Sequence, residues 1–183
     1  PDHEGALGVE EKAERLRSLL DEHSGYQLMN KMNPKTVGRG LEERDEEIRE
    51  FLREREDVTR DMEEVVEIVE SIPNQSFTRF FQLLGEEHPE TGINLIKNPE
   101  PSIMEYLPNI VFGVCVAQPE FGKGLVTEFI AEGQIELTCA GLRAIDSDNH
   151  VFVVEQIETL LDENAPYDPE FVSNVARVVH GQW

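Results

Sequence analysis

From Leu41 to Ile72 the chain carries a narrow apolar seam in a field of charge. With Leu41 as position a of a seven-residue repeat, the a positions are Leu41, Ile48, Arg55, Met62 and Val69. The d positions are Arg44, Phe51, Val58, Val65 and Ile72; eight of these ten are apolar and nearly every residue between them is Glu, Asp or Arg. Alternating steps of three and four residues gather the apolar side chains on one face only if the backbone is helical. One helix over 41–72 would be about 48 Å long at 1.5 Å per residue. Pairs such as Glu46–Arg49 and Glu56–Arg60 each add a few tenths of a kcal/mol to it, and Pro73 ends it. Two solutions for the seam stay open. It pairs with another helix as a coiled coil, with Arg44 and Arg55 as polar interruptions that set register, or it lies on its own domain or against residues 9–23. The first solution makes Leu41, Ile48, Phe51, Val58, Met62, Val65 and Val69 candidate interface residues.

The seam divides the chain into three parts: residues 1–40, a helical arm and linker; 41–73, the long charged helix; and 74–183, a compact helical domain. In the arm, a helix is expected from Val9 to about His23, with Ala13, Leu16, Leu19 and Leu20 on one face. Residues 24–40 hold three Gly, one Pro and two Asn and read as a linker with at most a short helical turn. After Pro73 short apolar helices alternate with turns. The expected spans are Phe77–Leu84, Thr91–Lys97, Ser102–Ala117, Glu120–Ala131, Ile135–Ile145, His150–Asp162 and Pro169–Val179. Ser76, Ser102 and Asp168 are N-cap types, and Pro89, Pro119 and Pro169 suit first-turn positions that need no backbone N–H. Pro108 should kink the third span or split it after Tyr106–Leu107. The runs IVFGVCV (110–116) and HVFVVEQI (150–157) also fit buried strands, but no alternation and no hairpin partner follows them, so the expected fold is all-α.

Charge limits the partners. There are 38 Asp plus Glu against 16 Lys plus Arg, a net charge of −22. The acidity is spread throughout: residues 1–73 hold 21 acids and 11 bases, residues 74–183 hold 17 acids and 5 bases. Such a surface repels nucleic acid and anionic membranes unless salt screens it. With no apolar run near 18 residues, no membrane span is expected, and the polar start PDHEGALG argues against a signal peptide; a cytoplasmic location is expected. Only five of the bases are Lys, and this composition resembles that of proteins from salt-loving archaea. The alternatives are an acidic protein of ordinary habitat and an acidic mimic of nucleic acid, or chaperone, that binds basic partners.

The residues that carry chemistry are scattered. None of His3, His23, His88, His150 and His180 lies three or four residues from another, and Cys115 and Cys139 form no CxxC, so no zinc site, Cys–His pair or other catalytic group is expected. Both cysteines sit in apolar runs and read as buried thiols, with a disulfide between them as the other reading. DSDNH (146–150) begins like a calcium loop but has Val151 where Gly is required and Ile157 where Glu is required; it reads as a turn before a helix. FGKG (121–124) and GRG (38–40) lack the phosphate-loop spacing and read as turns or helix-packing glycines. No cofactor or metal is expected, and an enzyme whose site the sequence does not display is the remaining alternative. The aromatic run FTRFF places Phe77, Leu84 and one of Phe80 and Phe81 on one face, with the other aromatic pointing away; that face suits the chain's own core or a partner, and Trp183 suits a partner or the last helix, so these three Phe and the terminal Trp183 complete the candidate interface.

Turns leading into apolar helices recur at Thr59, Pro89, Pro119 and Asn149, 30 residues apart, as in HPETGINLI (88–96), QPEFGKGLVTEFI (118–130) and SDNHVFVVEQIETLL (147–161). On this rhythm residues 75–183 resemble HEAT-like α-solenoid proteins, although the Asp and Arg pair usual in their repeats is missing; an irregular helical bundle is the other architecture. The resemblance implies stacked helix pairs that bind proteins, and sometimes nucleic acid, which the acidity here opposes. The expected function is therefore a non-enzymatic protein-binding or structural scaffold adapted to high salt, acting through a protein partner or through self-association of its helices.

Overall fold

A computed structural model of the chain describes residues 14, 15, 17–19, 34–53, 66, 77–145 and 149–181. Everything regular among them is helical. The helices are α1 (Pro34–Arg53), α2 (Thr78–Glu87), α3 (Pro89–Lys97), a 3-10 helix (Pro101–Tyr106), α4 (Leu107–Ala117), α5 (Pro119–Ala131), α6 (Ile135–Ala144), α7 (His150–Glu163) and α8 (Pro169–Gly181). Proline opens several of them, since its fixed φ suits the first turn and its missing N–H would have no partner there. Pro108 splits the expected third span: a 3-10 turn ends at Tyr106 and α4 starts at Leu107 with the proline in its first turn. Ser102, expected as a cap, lies inside that 3-10 turn, which Glu100 precedes instead. Both β-branched runs are helical.

α1 begins at Pro34, inside the stretch expected to be a linker. A proline at the first helical position accounts for that start, and the helix absorbs Gly38 and Gly40 at a propensity cost of about 1 kcal/mol each. Continuation of the long helix from 54 to 72 lies outside the described residues, apart from Val66, which is helical.

Packing follows chain order in two ranks. α2 lies on α4, α4 on α6 and α6 on α8, while α3 contacts both α2 and α4, and α5 contacts both α4 and α6. α3 and α5 start at Pro89 and Pro119, with α7 following Asn149, on the 30-residue rhythm of the sequence. α4, the most apolar helix, is the centre of the core: Ile110, Val111, Val114 and Cys115 are completely buried. It meets α2 backbone to backbone. A Cβ on Gly113 would fall 2.0 Å from the carbonyl oxygen of Gln82, and one on Gly85 would fall 2.6 Å from that of Ile110, so glycine on each helix permits this close approach. α7 is attached more loosely, with Val153 and Leu160 as its buried residues.

Phe77, Phe80 and Phe81 are all buried. The aromatic expected to point away does not, because α1 also packs on α2, whose α4 side is already covered. Phe81 stacks on Tyr106 at 4.9 Å between ring centroids, and Phe77 meets the same ring edge-on at 5.9 Å.

Candidate functional site

Most of the sequence-derived interface candidates that are described are satisfied within the chain. Ile48 and Phe51 of the seam are buried, together with Leu52. The guanidinium of Arg15 sits over the Phe51 ring, 5.7 Å from its centroid, and Leu19 is buried in the same core, so this part of the seam is covered by the chain's own arm and by α2. Phe77, Phe80 and Phe81 are core residues. The Leu41 side chain, Val58, Met62, Val65, Val69 and Trp183 lie outside the described residues.

Ion pairs fasten α1 to α2. Arg49 reaches Glu86 at 3.3 Å and Glu87 at 3.0 Å, Arg53 reaches Glu87 at 3.0 Å, and Arg79 reaches Asp45 at 2.8 Å. His88 places Nε2 2.6 Å from the carbonyl oxygen of Leu52. Partial burial disfavours the charge on Glu87, but the guanidiniums of Arg53 and Arg49 outweigh it and hold this carboxyl below its ordinary value. The cluster is structural: its cations and anions answer one another.

Neither thiol is poised for chemistry. Cys115 and Cys139 are free and buried, and burial pushes them up to about 12 and about 11 respectively. His150 and His180 are exposed. Among the described residues no group of three or more His, Cys, Asp or Glu is arranged to hold a metal ion, and no helix is long and apolar enough to cross a membrane. Gly122, within FGKG, packs against Cys115 inside α5. Asn149 precedes α7 without a side-chain cap bond.

Among the described residues a concave feature lies where the starts of α4, α6 and α8 converge. Its cavity is about 400 Å³, toward the lower end of the roughly 300–1,000 Å³ usual for ligand sites. The turn from α5 into α6 forms one wall. There Gly133 adopts φ +72°, its N–H bonds to Ile130 O at 3.0 Å, and the N–H of Gln134 bonds to Phe129 O at 2.8 Å. This pair of bonds closes the end of α5 and turns the chain sharply into α6. Asp168 begins the opposite wall by accepting the N–H of Phe171 at 2.7 Å, in keeping with its N-cap residue type. Leu107 and Phe171 line the cavity and are buried, whereas Glu136, Asp168 and Glu170 line it and are exposed. Met104, also apolar, is 54% exposed, and Gln134 and Asn174 add polar groups to the lining.

The far ends of α6 and α8 carry the opposite charge. Arg143 lies near the end of α6 and Arg177 on the closing half of α8; desolvation and the neighbouring Arg177 cation together lower the proton affinity of Arg143. Acids at helix starts and bases at helix ends both complement the helix dipole. Exposed apolar groups occur at Met104, Val116, Phe121 and Tyr167 and, on the last two helices, at Val151 and Val154 of α7 and Val172 and Val179 of α8. Sequence reasoning missed the cavity because its walls come from three separate segments, and only the capping role of Asp168 carries a local signal. No protein-family model, no curated protein and no solved structure matches the chain.

Proposed function

We propose that this chain is a non-enzymatic, salt-adapted scaffold that binds other proteins on a stack of helix pairs. The observation that carries this reading is the order of packing: α2, α4, α6 and α8 lie on one another in sequence, and α3 and α5 each bridge two of them. Helix pairs stacked in this way bury their faces on their neighbours and leave a long continuous surface for a partner. HEAT-like repeat proteins work in this way, and the 30-residue rhythm supports the likeness. Val151, Val154, Val172 and Val179 give that surface apolar footholds on otherwise acidic ground. The net charge of −22 and the scarcity of lysine support adaptation to high salt, where screening removes the self-repulsion that would oppose folding.

The test is affinity capture from the source cells at about 2 M KCl, a salt level at which diffuse attraction is screened within about 3 Å. The bait is compared with a variant carrying serine at Val151, Val154, Val172 and Val179, after circular dichroism has shown equal helicity. Partners retained by the bait and lost by the variant are the expected result. Equal recovery by both, or no protein above the empty-matrix control, would overturn the reading.

A further inference from the structure

We infer that Arg143 and Arg177 together seat a carboxylate of the partner protein, held between their two guanidiniums. The inference rests on the scaffold reading and specifies the partner's chemistry at one point of its surface.

The placement follows from register. Glu136 near the start of α6 and Glu170 near the start of α8 line one cavity, so the two helices run in the same direction with those faces turned to a common groove. Arg143 is seven residues beyond Glu136, and Arg177 is seven beyond Glu170. Seven residues are nearly two full turns, so each arginine stands on the face of its glutamate, about 10 Å farther along the groove. The packing of α6 on α8 thus brings the two cations to the same height. Their charges interact: loss of water and the Arg177 cation both act against the charge on Arg143, and Glu136 does not outweigh them.

Elsewhere the chain answers its cations. Arg49, Arg53, Arg79 and Lys123 each reach a carboxylate. Arg143 and Arg177 are exposed and, among the described residues, make neither an ion pair nor a side-chain hydrogen bond. The helix dipole favours a cation in the closing turns on any face; it does not account for two cations on facing sides of one groove. The chain itself shows what completes such a pair. Glu87 takes Arg49 at 3.0 Å and Arg53 at 3.0 Å, one carboxylate between two guanidiniums. The planar fork of a guanidinium matches the two oxygens of a carboxylate. Arg143 and Arg177 form the same cradle, whose acid a partner supplies. Nucleic acid is the wrong source, since its many phosphates would meet the surrounding charge of −22.

The experiment follows the arginine Nε–H signals of the ¹⁵N-labelled full chain by NMR in about 1 M KCl, where the screening length of roughly 3 Å leaves contact pairs and removes diffuse attraction. The probes are the peptide acetyl-Ala-Glu-Ala-amide and the same peptide with glutamine or phosphoserine in place of glutamate. The glutamate peptide should move the Arg143 and Arg177 signals together on one binding curve. The glutamine peptide should bind about tenfold or more weakly, the equivalent of one charge-assisted hydrogen bond. Arg143→Gln should weaken the glutamate peptide comparably, as read at Arg177. The same variant should keep or raise the urea midpoint, because it relieves a like-charge contact and removes no partner within the chain. No shift at either arginine, separate curves for the two, or equal binding of the glutamate and glutamine peptides would overturn the inference. A lowered urea midpoint for Arg143→Gln would overturn it too, by showing that the chain itself uses this cation. A phosphoserine peptide binding more than about tenfold tighter than the glutamate peptide would overturn the assignment to a carboxylate. Each of these failures leaves the scaffold reading to the capture experiment, which changes neither arginine.

Discussion

Replacing Gly113 by alanine tests the packing at its tightest point. Position 113 lies in the middle of α4 and faces α2. A Cβ there would sit 2.0 Å from the carbonyl oxygen of Gln82 and 2.9 Å from the backbone nitrogen of Glu86. Both are main-chain atoms, so no side-chain rotation relieves the overlap, and the two helices must separate by about 1 Å or more to reach ordinary contact. A gap of 0.5–1 Å already forfeits roughly a quarter to a half of each dispersion contact it opens, and this interface includes Phe81, Leu84, Ile110 and Val114, all buried. Overpacking of this kind costs about 1–3 kcal/mol, and rigid backbone on both sides places it near 3. Alanine returns about 1 kcal/mol of helix propensity, leaving a net loss of about 2 kcal/mol, or a fall in Tm of roughly 4–8 °C for a chain of this size. The matched control is Gly124→Ala, also inside a helix but with no atom within 4 Å of the added Cβ; it should gain about 0.5–1 kcal/mol. Urea unfolding followed by circular dichroism at fixed high KCl measures both, and an unchanged m-value confirms that stability alone moved. If Gly113→Ala matched or exceeded the wild-type chain in stability, the close approach of α2 and α4 would be refuted.

Three further outcomes are expected. Gly133→Ala should destabilise by about 1–2 kcal/mol, since its left-handed φ of +72° penalises any Cβ, and should shift the amides of the cavity wall; an unchanged unfolding midpoint would contradict the turn geometry. Glu87 is held below its ordinary value in the fold, so its contribution is complete above the unfolded carboxylate value of about 4.3 and is lost as pH falls through the lower folded value; the gap in urea midpoint between wild type and Glu87→Gln should close on acidification, and a gap that stays constant from neutral to strongly acidic pH would count against the Arg49–Glu87–Arg53 cluster. With Cys115 pushed up to about 12 and Cys139 to about 11, iodoacetamide at mildly alkaline pH should leave both thiols of the native chain unmodified and label both in urea, as read by mass spectrometry; rapid labelling of the native chain would contradict their burial.

Local physics makes much of the domain legible in the sequence. Pro89, Pro119 and Pro169 open helices because a first turn has no use for their N–H, and Pro108 divides one span for the same reason. Asp168 caps α8 because a carboxylate accepts what an unpaired N–H offers. The features that sequence does not display depend on neighbours distant along the chain. FTRFF shows a face for two of its three phenylalanines, and only the packing of α1 on α2 explains the burial of the third. Ile48 and Phe51 carry the same seam whether a second chain or the chain's own arm covers them; the Arg15 contact and the burial of Leu19 select the arm for this part of it. The start of α1 at Pro34 is obscured by glycines that a docked helix tolerates. Apart from the cap at Asp168 the cavity has no signature, because Met104, Glu136 and Phe171 become neighbours only through the stacking of α4, α6 and α8.

The most direct measurement for a salt-adapted scaffold is circular dichroism with light scattering from about 0.1 M to about 3 M KCl, across which the screening length falls from roughly 10 Å to under 3 Å. Helicity that rises with KCl to a plateau, accompanied by one defined mass, is the expected result. Full helicity and the same mass at the lowest salt, with no further gain on adding KCl, would contradict salt adaptation and leave the acidity to be explained by basic partners alone.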